Sequence, residues 1–522
     1  MRKGIVTAVA LGVLVAGGVW LSLNATEVVL ADTGEANAYQ LLTTFNNVLR
    51  LIKDEYVEDR PLDELIYGAI SGMLGTLDPH SSMLETADYE NLNLRTTGKF
   101  GGLGMQVQIT TEDNTLTVMS PFDGTPASEA GLLPGDKILE IDGVSTYELT
   151  INESVDMMRG EPGSEVTLTI ARAGVPGTIA VTLTRAEVEV DSVPDHFITS
   201  PGVGYVRISD FSEDTDSELE LAVRQLLDEG MEWLILDLRD NPGGTLNAAA
   251  SVSEMFSSGT GELIVYTEGR NAEATHTEFR TTDGGYKVRV PVALVINNGS
   301  ASASEILTGA LRAWDRAVVF GVTSFGKGSV QQVYPLDRIS TGGAEDRAVK
   351  LTIARYYTPD GVCIDEIGID PHVYLEPNFY TAFASRFIAA GYHRQLTTEF
   401  RLEHGEGESR DDFEALDDAT LAELIIAFME EQEDPFDYTP GEVEGETLEQ
   451  LRIALTAQLI TQEGGVDGPS LARRYRIAND KWIDEVIRLM EDEQALAEAE
   501  ERTIDKLAEL AEERENQRRR LW

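Results

Sequence analysis

The stretch Val292-Ala293-Leu294-Val295-Ile296-Asn297-Asn298-Gly299-Ser300-Ala301-Ser302-Ala303-Ser304-Glu305-Ile306 passes from five apolar residues to a cluster of three serines. Unbroken apolar runs of this length suit a central strand covered on both faces. Leu234-Ile235-Leu236 has the same character. Working outward, strands are predicted at Gly204–Ile208, Trp233–Leu238, Val292–Ile296, Ala317–Phe320 and Val349–Tyr357. Helices are predicted between the early ones, at Asp216–Asp228, Ala248–Phe256 and Ser302–Trp314. From Gly204 to about Leu375 the pattern is therefore α/β.

A serine between a buried strand and a helix is held by rigid elements, and the helix start offers free N–H groups to a developing oxyanion. Spacing does not separate Ser300, Ser302 and Ser304, and Ser302 with Glu305 equally fits a capping box. The nearest candidate base is Lys327, in Ser324-Phe325-Gly326-Lys327-Gly328. An ordinary lysine is neutral only about one time in a thousand near pH 7.4. A base there needs desolvation, for which Phe325, Val330 and Val333 are candidates. Gln331 is placed to hold the amine or the substrate. Cys363, the single cysteine, has no nearby base and reads as a small buried side chain.

Between about Thr97 and Ala186 short strands and glycine turns take over. Met105, Val107 and Ile109 alternate, as do Val166, Leu168 and Ile170, each set marking a half-buried strand. The loop Gly102-Leu103-Gly104-Met105, the run Ala127-Ser128-Glu129-Ala130-Gly131-Leu132 and the turns Pro134-Gly135-Asp136 and Ile141-Asp142-Gly143 resemble a PDZ domain. In such a module inward-turned N–H groups bind a terminal carboxylate and the ligand adds as a strand. Val155 and Met158 would line the pocket for its last side chain. Read otherwise, Gly102 and Gly104 merely shape a strand entrance.

Before this module, Tyr39 to Leu74 reads as helical, with Leu41, Leu42, Phe45, Val48, Leu49 and Ile52 on one face and a second helix at Leu62–Leu74. That face is expected to pack on the main domain or on a second subunit. At the start, Arg2 and Lys3 precede an uncharged run from Ile5 to Leu23. This is a cleaved export signal, with Val29 and Ala31 suiting cleavage after Ala31, or a retained anchor. Either places the chain outside the cytoplasm, in the periplasm or on the outer face of the cytoplasmic membrane.

Beyond Tyr380 the sequence is acidic and helical. It has a linker-like stretch at Glu431–Glu449 and an apolar stripe from Leu471 to Leu510 that predicts one long amphipathic helix. The 522 residues carry 91 acidic and 41 basic side chains, a net charge of −50. That excludes most nucleic-acid binding and polybasic adsorption to lipid. Solubility by self-repulsion and a saline habitat both account for such a charge. Six scattered histidines lack metal-ligand spacing and one cysteine forms no disulfide framework, so no metal or organic cofactor is expected.

Asn298 to Ile306 together with Ser324-Phe325-Gly326-Lys327-Gly328-Ser329-Val330-Gln331 resembles the carboxyl-terminal processing (tail-specific) serine peptidases. Asp237-Leu238-Arg239-Asp240-Asn241-Pro242-Gly243-Gly244, Thr358-Pro359-Asp360-Gly361 and Gly368-Ile369-Asp370-Pro371 match further stretches, in consistent order. The resemblance runs from about Tyr39 to Leu375. It implies Ser302 as nucleophile, Lys327 as general base and Gln331 as its helper, with an oxyanion hole from Gly243, Gly244 and Ala303. It also implies an α/β peptidase core (crotonase/ClpP-like) with an inserted PDZ domain, N-terminal helices and a helical acidic C-terminal extension.

The divisions expected are 1–31 (signal or anchor), 32–96 (helical), 97–186 (PDZ), 187–379 (peptidase core) and 380–522 (extension). Partners implied are the carboxyl-terminal tails of protein substrates, envelope adaptor proteins and further copies of the chain. Gly361-Val362-Cys363-Ile364-Asp365-Glu366 departs from the family in being acidic, and the extension is longer than the family's short tail. The rival expectation is a non-catalytic envelope scaffold acting through the PDZ domain and the acidic tail.

Overall fold

Val292–Ile296, apolar throughout, is buried at every position and lies mid-sheet. The structure, a computed structural model, describes residues 38–84, 99–110, 115–121, 125–133, 135–147, 149–172, 175, 177–189, 191–271, 275–336, 347–377, 380–405, 409–432, 437–464 and 468–520. The run Ile5–Leu23 lies outside them. Among the described residues no helix is long and apolar enough to cross a membrane.

Helices α1 (Ala38–Glu55) and α2 (Leu62–Leu74) come first, followed by strand β1 (Ser82–Leu84). Next, β2 (Lys99–Gly102) leads into the PDZ-like unit: β3 (Met105–Thr110), β4 (Thr115–Pro121), β5 (Lys137–Ile141), α3 (Ile151–Met158), β6 (Glu165–Ala171) and β7 (Ile179–Thr184). β8 (Ala186–Glu189) leaves it and pairs antiparallel with β2, so entry and exit are joined at the base of the insert. The sheet runs β3-β4-β5-β6-β7, with β3 on its edge.

The core follows as β9 (Asp195–Ser200), β10 (Val203–Arg207), α4 (Thr215–Asp228), β11 (Trp233–Asp237), α5 (Leu246–Phe256), β12 (Leu263–Glu268), β13 (Thr277–Arg280), β14 (Val292–Ile296), α6 (Ala303–Ala313), β15 (Ala317–Gly321), β16 (Ser329–Pro335), β17 (Ala348–Tyr357) and β18 (Val373–Tyr374). The central sheet has the order β9-β10-β11-β14-β15-β18 and is parallel except for β9. Leu219, Val252, Leu307 and their neighbours on α4, α5 and α6 cover one face. The predicted strand Val349–Tyr357 exists, but not in this sheet. It is the long β17 of an antiparallel second sheet with β1, β12, β13 and β16.

The extension holds α7 (Ala382–Ala389), α8 (Tyr392–His404), α9 (Asp418–Glu431), α10 (Glu446–Glu463), α11 (Gly468–Ile477), α12 (Lys481–Met490) and α13 (Glu493–Arg520). The single helix expected over Leu471–Leu510 is three. Asp480 turns its carboxylate to the Trp482 N–H at 2.9 Å and starts α12 afresh, a capping signal inside a continuous apolar stripe. The linker expected at Glu431–Glu449 is no tether either: Val443 is fully buried in the extension's own core and α10 begins at Glu446. Trp482, Ile483, Val486 and Leu489 of α12 pack against Tyr205, Ile235, Val295 and Phe320, covering the second face of the central sheet. The core is thus a three-layer structure whose third layer comes from α12 and α13.

Candidate active site

Three serines leave β14 together, and their surroundings separate them. Ser300 is fully buried and donates to the Leu238 carbonyl at 2.8 Å. Ser304, also fully buried, donates to the Asn241 carbonyl at 3.0 Å. Both fasten this loop to the turn after β11. Ser302 is half-buried and sits at φ +55°, ψ −109°, far from the extended backbone of an ordinary N-cap. Such strain persists where surrounding contacts impose it, and it gathers at functional sites.

The Asp237–Gly244 turn supplies those contacts. Asn241 is fully buried: its Nδ2 donates to the Ile208 carbonyl, its Oδ1 accepts the Gly243 N–H at 2.8 Å, and its carbonyl accepts the Ala301 N–H. Gly243 has φ +100°, and a Cβ there would lie 2.7 Å from Ser302 Cβ and 2.9 Å from Ala303 N. The glycine is therefore needed for close approach to the serine. Its N–H, expected to face an oxyanion, is instead committed to Asn241. Ala303 opens α6, so its N–H has no intrahelical acceptor. Gly244 is pressed on Phe211, whose oxygen a Cβ would meet at 2.1 Å.

Glu305 ties this loop to the lysine. Fully buried, its Oε2 accepts the Ser302 N–H at 2.7 Å and the Lys327 N–H at 2.9 Å. Its Oε1 accepts the Ser324 hydroxyl at 2.6 Å and the Gly326 N–H at 2.7 Å. The glutamate half of the predicted capping box is present, but it does more than cap. One oxygen atom joins the backbones of Ser302 and Lys327. Burial pushes the Glu305 carboxyl above the usual glutamate range, although all four hydrogen bonds oppose this.

The lysine loop is held from its other side as well. Phe325 N–H donates to the Ser300 carbonyl at 3.0 Å, and Glu366 N–H donates to the Gly326 carbonyl at 2.8 Å. A Cβ on Gly328 would meet Asp365 N at 2.1 Å, so the acidic segment 361–366 lies directly against this loop. Lys327 is half-buried. Phe325 is 61% exposed and so does not enclose the lysine as expected. Val330 packs at the edge of the main core. Gln331, on β16, donates through Nε2 to Ser329 Oγ at 2.7 Å. Cys363, expected to be buried, is partly exposed and bridges to Tyr357.

Behind the turn, Asp237 accepts from the Tyr205 hydroxyl at 2.7 Å and from Arg239. Burial alone would raise this carboxyl, but Arg239's charge and the hydrogen bonds to Arg239 and Tyr205 hold it below the usual range. Sequence reasoning missed Asn241 and the clamp role of Glu305. Both lie inside the quoted motifs, but a buried amide and a capping glutamate look ordinary until their partners are known.

In the PDZ-like unit, Gly102, Leu103 and Gly104 are buried and Met105 half-buried. Gly104 has φ +72°, and a Cβ would meet Thr125 Cβ at 2.3 Å. Met158 is buried, and Val155 and Met105 both pack at the margin of the same core. Arg185, absent from the sequence reading, donates to the Met157 and Met158 carbonyls at the end of α3 at 2.9 and 3.1 Å.

Comparison with known proteins gives three matched segments. Residues 202–375 match peptidase family S41, residues 117–172 a PDZ domain, and residues 14–87 the N-terminal domain of the activating protease CtpB. The carboxy-terminal-processing protease of Bartonella bacilliformis is 40% identical over 362 residues, covering 68% of this chain and 80% of that one. The chain belongs to the carboxyl-terminal processing protease family. A second relative, the carboxyl-terminal-processing protease of a Synechocystis strain, is 39% identical over 62% of this chain and 75% of its own. Among solved structures, a photosystem II D1 C-terminal processing protease is 28% identical, with a TM-score of 0.37, over 66% of this chain and 95% of that one. This chain is a protease of that family carrying a PDZ domain. The peptidase match ends at residue 375, so the extension from Tyr380 lies beyond it.

Proposed function

We propose that the chain is a serine endopeptidase that captures free carboxyl ends of protein tails on its PDZ domain and cleaves with a Ser302–Lys327 dyad. One observation carries this reading. Of three clustered serines only Ser302 is strained and accessible, and Glu305 joins its backbone to that of Lys327.

The neutral Lys327 amine takes the Ser302 hydroxyl proton as Oγ attacks the scissile carbonyl. The Ala303 N–H at the start of α6, with that of Gly244, stabilises the oxyanion. Lys327 returns the proton to the leaving amine as the C–N bond breaks. It then deprotonates the water that hydrolyses the acyl-enzyme, and Ser302 is restored. Gln331, with Nε2 on Ser329, has its amide oxygen to offer the ammonium form of Lys327. The tail lies along the edge strand β3 as an added strand, its carboxylate against Gly102–Met105 and its last side chain toward Val155 and Met158.

The uncharged run Ile5–Leu23 behind Arg2 and Lys3 supports export to the periplasm or the outer face of the cytoplasmic membrane. Envelope adaptor proteins are the partners this location suggests. α1 leaves Leu41, Leu42, Phe45, Val48 and Leu51 exposed, an apolar face that a second copy of the chain would cover. Light scattering of the purified chain, with Phe45→Glu beside it, tests that association.

The deciding experiment offers an unfolded substrate with an apolar free tail, the same substrate amidated, and the Ser302→Ala and Lys327→Ala variants. Cleavage should need all three features. Cleavage that survives both substitutions removes the dyad, and equal cleavage of the amidated tail removes the tail specificity.

A further inference from the structure

We propose that the cavity between the central sheet and the extension is a binding site for an apolar carboxylate. It measures about 660 Å³, within the range of small-molecule sites. Its floor is formed by Arg207, Arg239, Asn297 and Val322, at or just past the carboxyl ends of β10, β11, β14 and β15. That edge is where parallel α/β sheets hold ligands. Ser302, Lys327 and Gln331 do not line it, so the proposal stands apart from the cleavage chemistry.

The charges in this cavity are unevenly matched. Each lining carboxylate already holds a donor, although Asp195 Oδ2 is buried without one among the described residues. Asp195 is paired with Arg473 at 2.9 Å, Asp480 with Arg239 at 2.7 Å, and Asp240 accepts Asn297 Nδ2 at 2.8 Å. Arg207 and Arg476 have no carboxylate partner among the described residues. Arg207 has only a long contact, 3.5 Å, with the Arg239 carbonyl. Arg476 is exposed at the margin of the cavity, where a ligand can reach its guanidinium.

Two guanidinium groups without a carboxylate partner among the described residues thus line one cavity. A guanidinium fork fits the two oxygens of a carboxylate. The lining also includes an apolar part, formed by Pro377, Ile453, Ile477 and Trp482. An inorganic anion would leave that part unused, whereas a carboxylate with a hydrocarbon portion engages both. Such a group is found at the free carboxyl end of a short peptide and in a small organic acid.

Calorimetry on the full chain tests this with three probes: hexanoate, acetyl-Leu-Ala-Ala, and the same peptide amidated. Hexanoate at millimolar concentration should bind, and Arg207→Gln and Arg476→Gln should each weaken it about tenfold, as expected for loss of one charge-assisted hydrogen bond. If the peptide acid also loses binding in these variants while the amide binds nowhere, a peptide end is the source. If only hexanoate responds to the variants, the source is an organic acid. Both outcomes support the site. Hexanoate should also raise the melting temperature of the unsubstituted chain, a reading that needs no variant to fold. No hexanoate binding and no such rise, or binding that both substitutions leave unchanged, overturns it.

Discussion

Ser302, Ser304 and Ser300 share a residue type and a loop but not a task. Ser302→Ala is expected to abolish cleavage without lowering the melting temperature. Ser304→Ala should instead cost about 1 kcal/mol of stability, because the Asn241 carbonyl loses one of its two buried donors and keeps the Ala301 N–H. Chemical denaturation beside an activity assay separates the two. Glu305→Gln is expected to lower kcat by at least about tenfold with little change in KM for tailed substrates, since an amide cannot accept from the donors around both oxygens.

Glu305 also predicts a pH dependence. Its folded pKa is raised above the unfolded value, so its contribution to stability is greatest below the unfolded pKa and is lost as pH rises through the folded one. Activity runs the other way, because the ionised carboxylate accepts the Ser302 and Lys327 N–H groups. Acidification through the raised pKa should therefore silence a chain that is still folded, as read by activity and circular dichroism on the same samples. Unfolding that coincides with the loss of activity would refute this.

Helix α3 packs on the core of the PDZ-like unit and is short, so its position depends on its ends. At its start, Thr150 and Glu153 complete a capping box, with Glu153 accepting the Thr150 N–H at 2.8 Å. At its end, Arg185 reaches across from the exit strand, mostly buried, to the Met157 and Met158 carbonyls. Arg185→Ala is expected to destabilise this unit by about 2–3 kcal/mol and to weaken tail binding. Fluorescence anisotropy with a labelled free-tail peptide measures the second effect. Unchanged affinity would show that α3 holds its place without the arginine. β3 was legible from its alternating residues, but its place on the sheet edge, where a ligand can add, depends on pairings distant in sequence.

The extension is part of the peptidase rather than an appendage. α12 buries Trp482, Ile483, Val486 and Leu489 on the outer face of the central sheet, worth about 1.5–3 kcal/mol each. Arg239 spans from Asp237 at the start of the turn after β11 to Asp480 at the α12 cap. Removing residues 481–520 should therefore leave an aggregating or unfolded core, since the loss rivals the ~5–15 kcal/mol of a typical domain. An active, soluble truncated chain would refute this. Truncation after Tyr380 is consequently not a clean way to separate proteolysis from any other role of the tail.

By itself the sequence determined the α/β alternation, the buried strands, the PDZ-like insert and the residues worth suspecting, because periodicity and glycine turns are local properties of the chain. It did not distinguish Ser302 from its two neighbours without the family resemblance, nor reveal the clamp at Glu305 or the hub at Asn241. Nor did it show that β17 leaves the central sheet or that α12 and α13 complete it. These were decided by tertiary structure alone, because each depends on which groups lose water together. A buried carboxylate must find its donors and a bare sheet face its cover, and both partners lie far away along the chain.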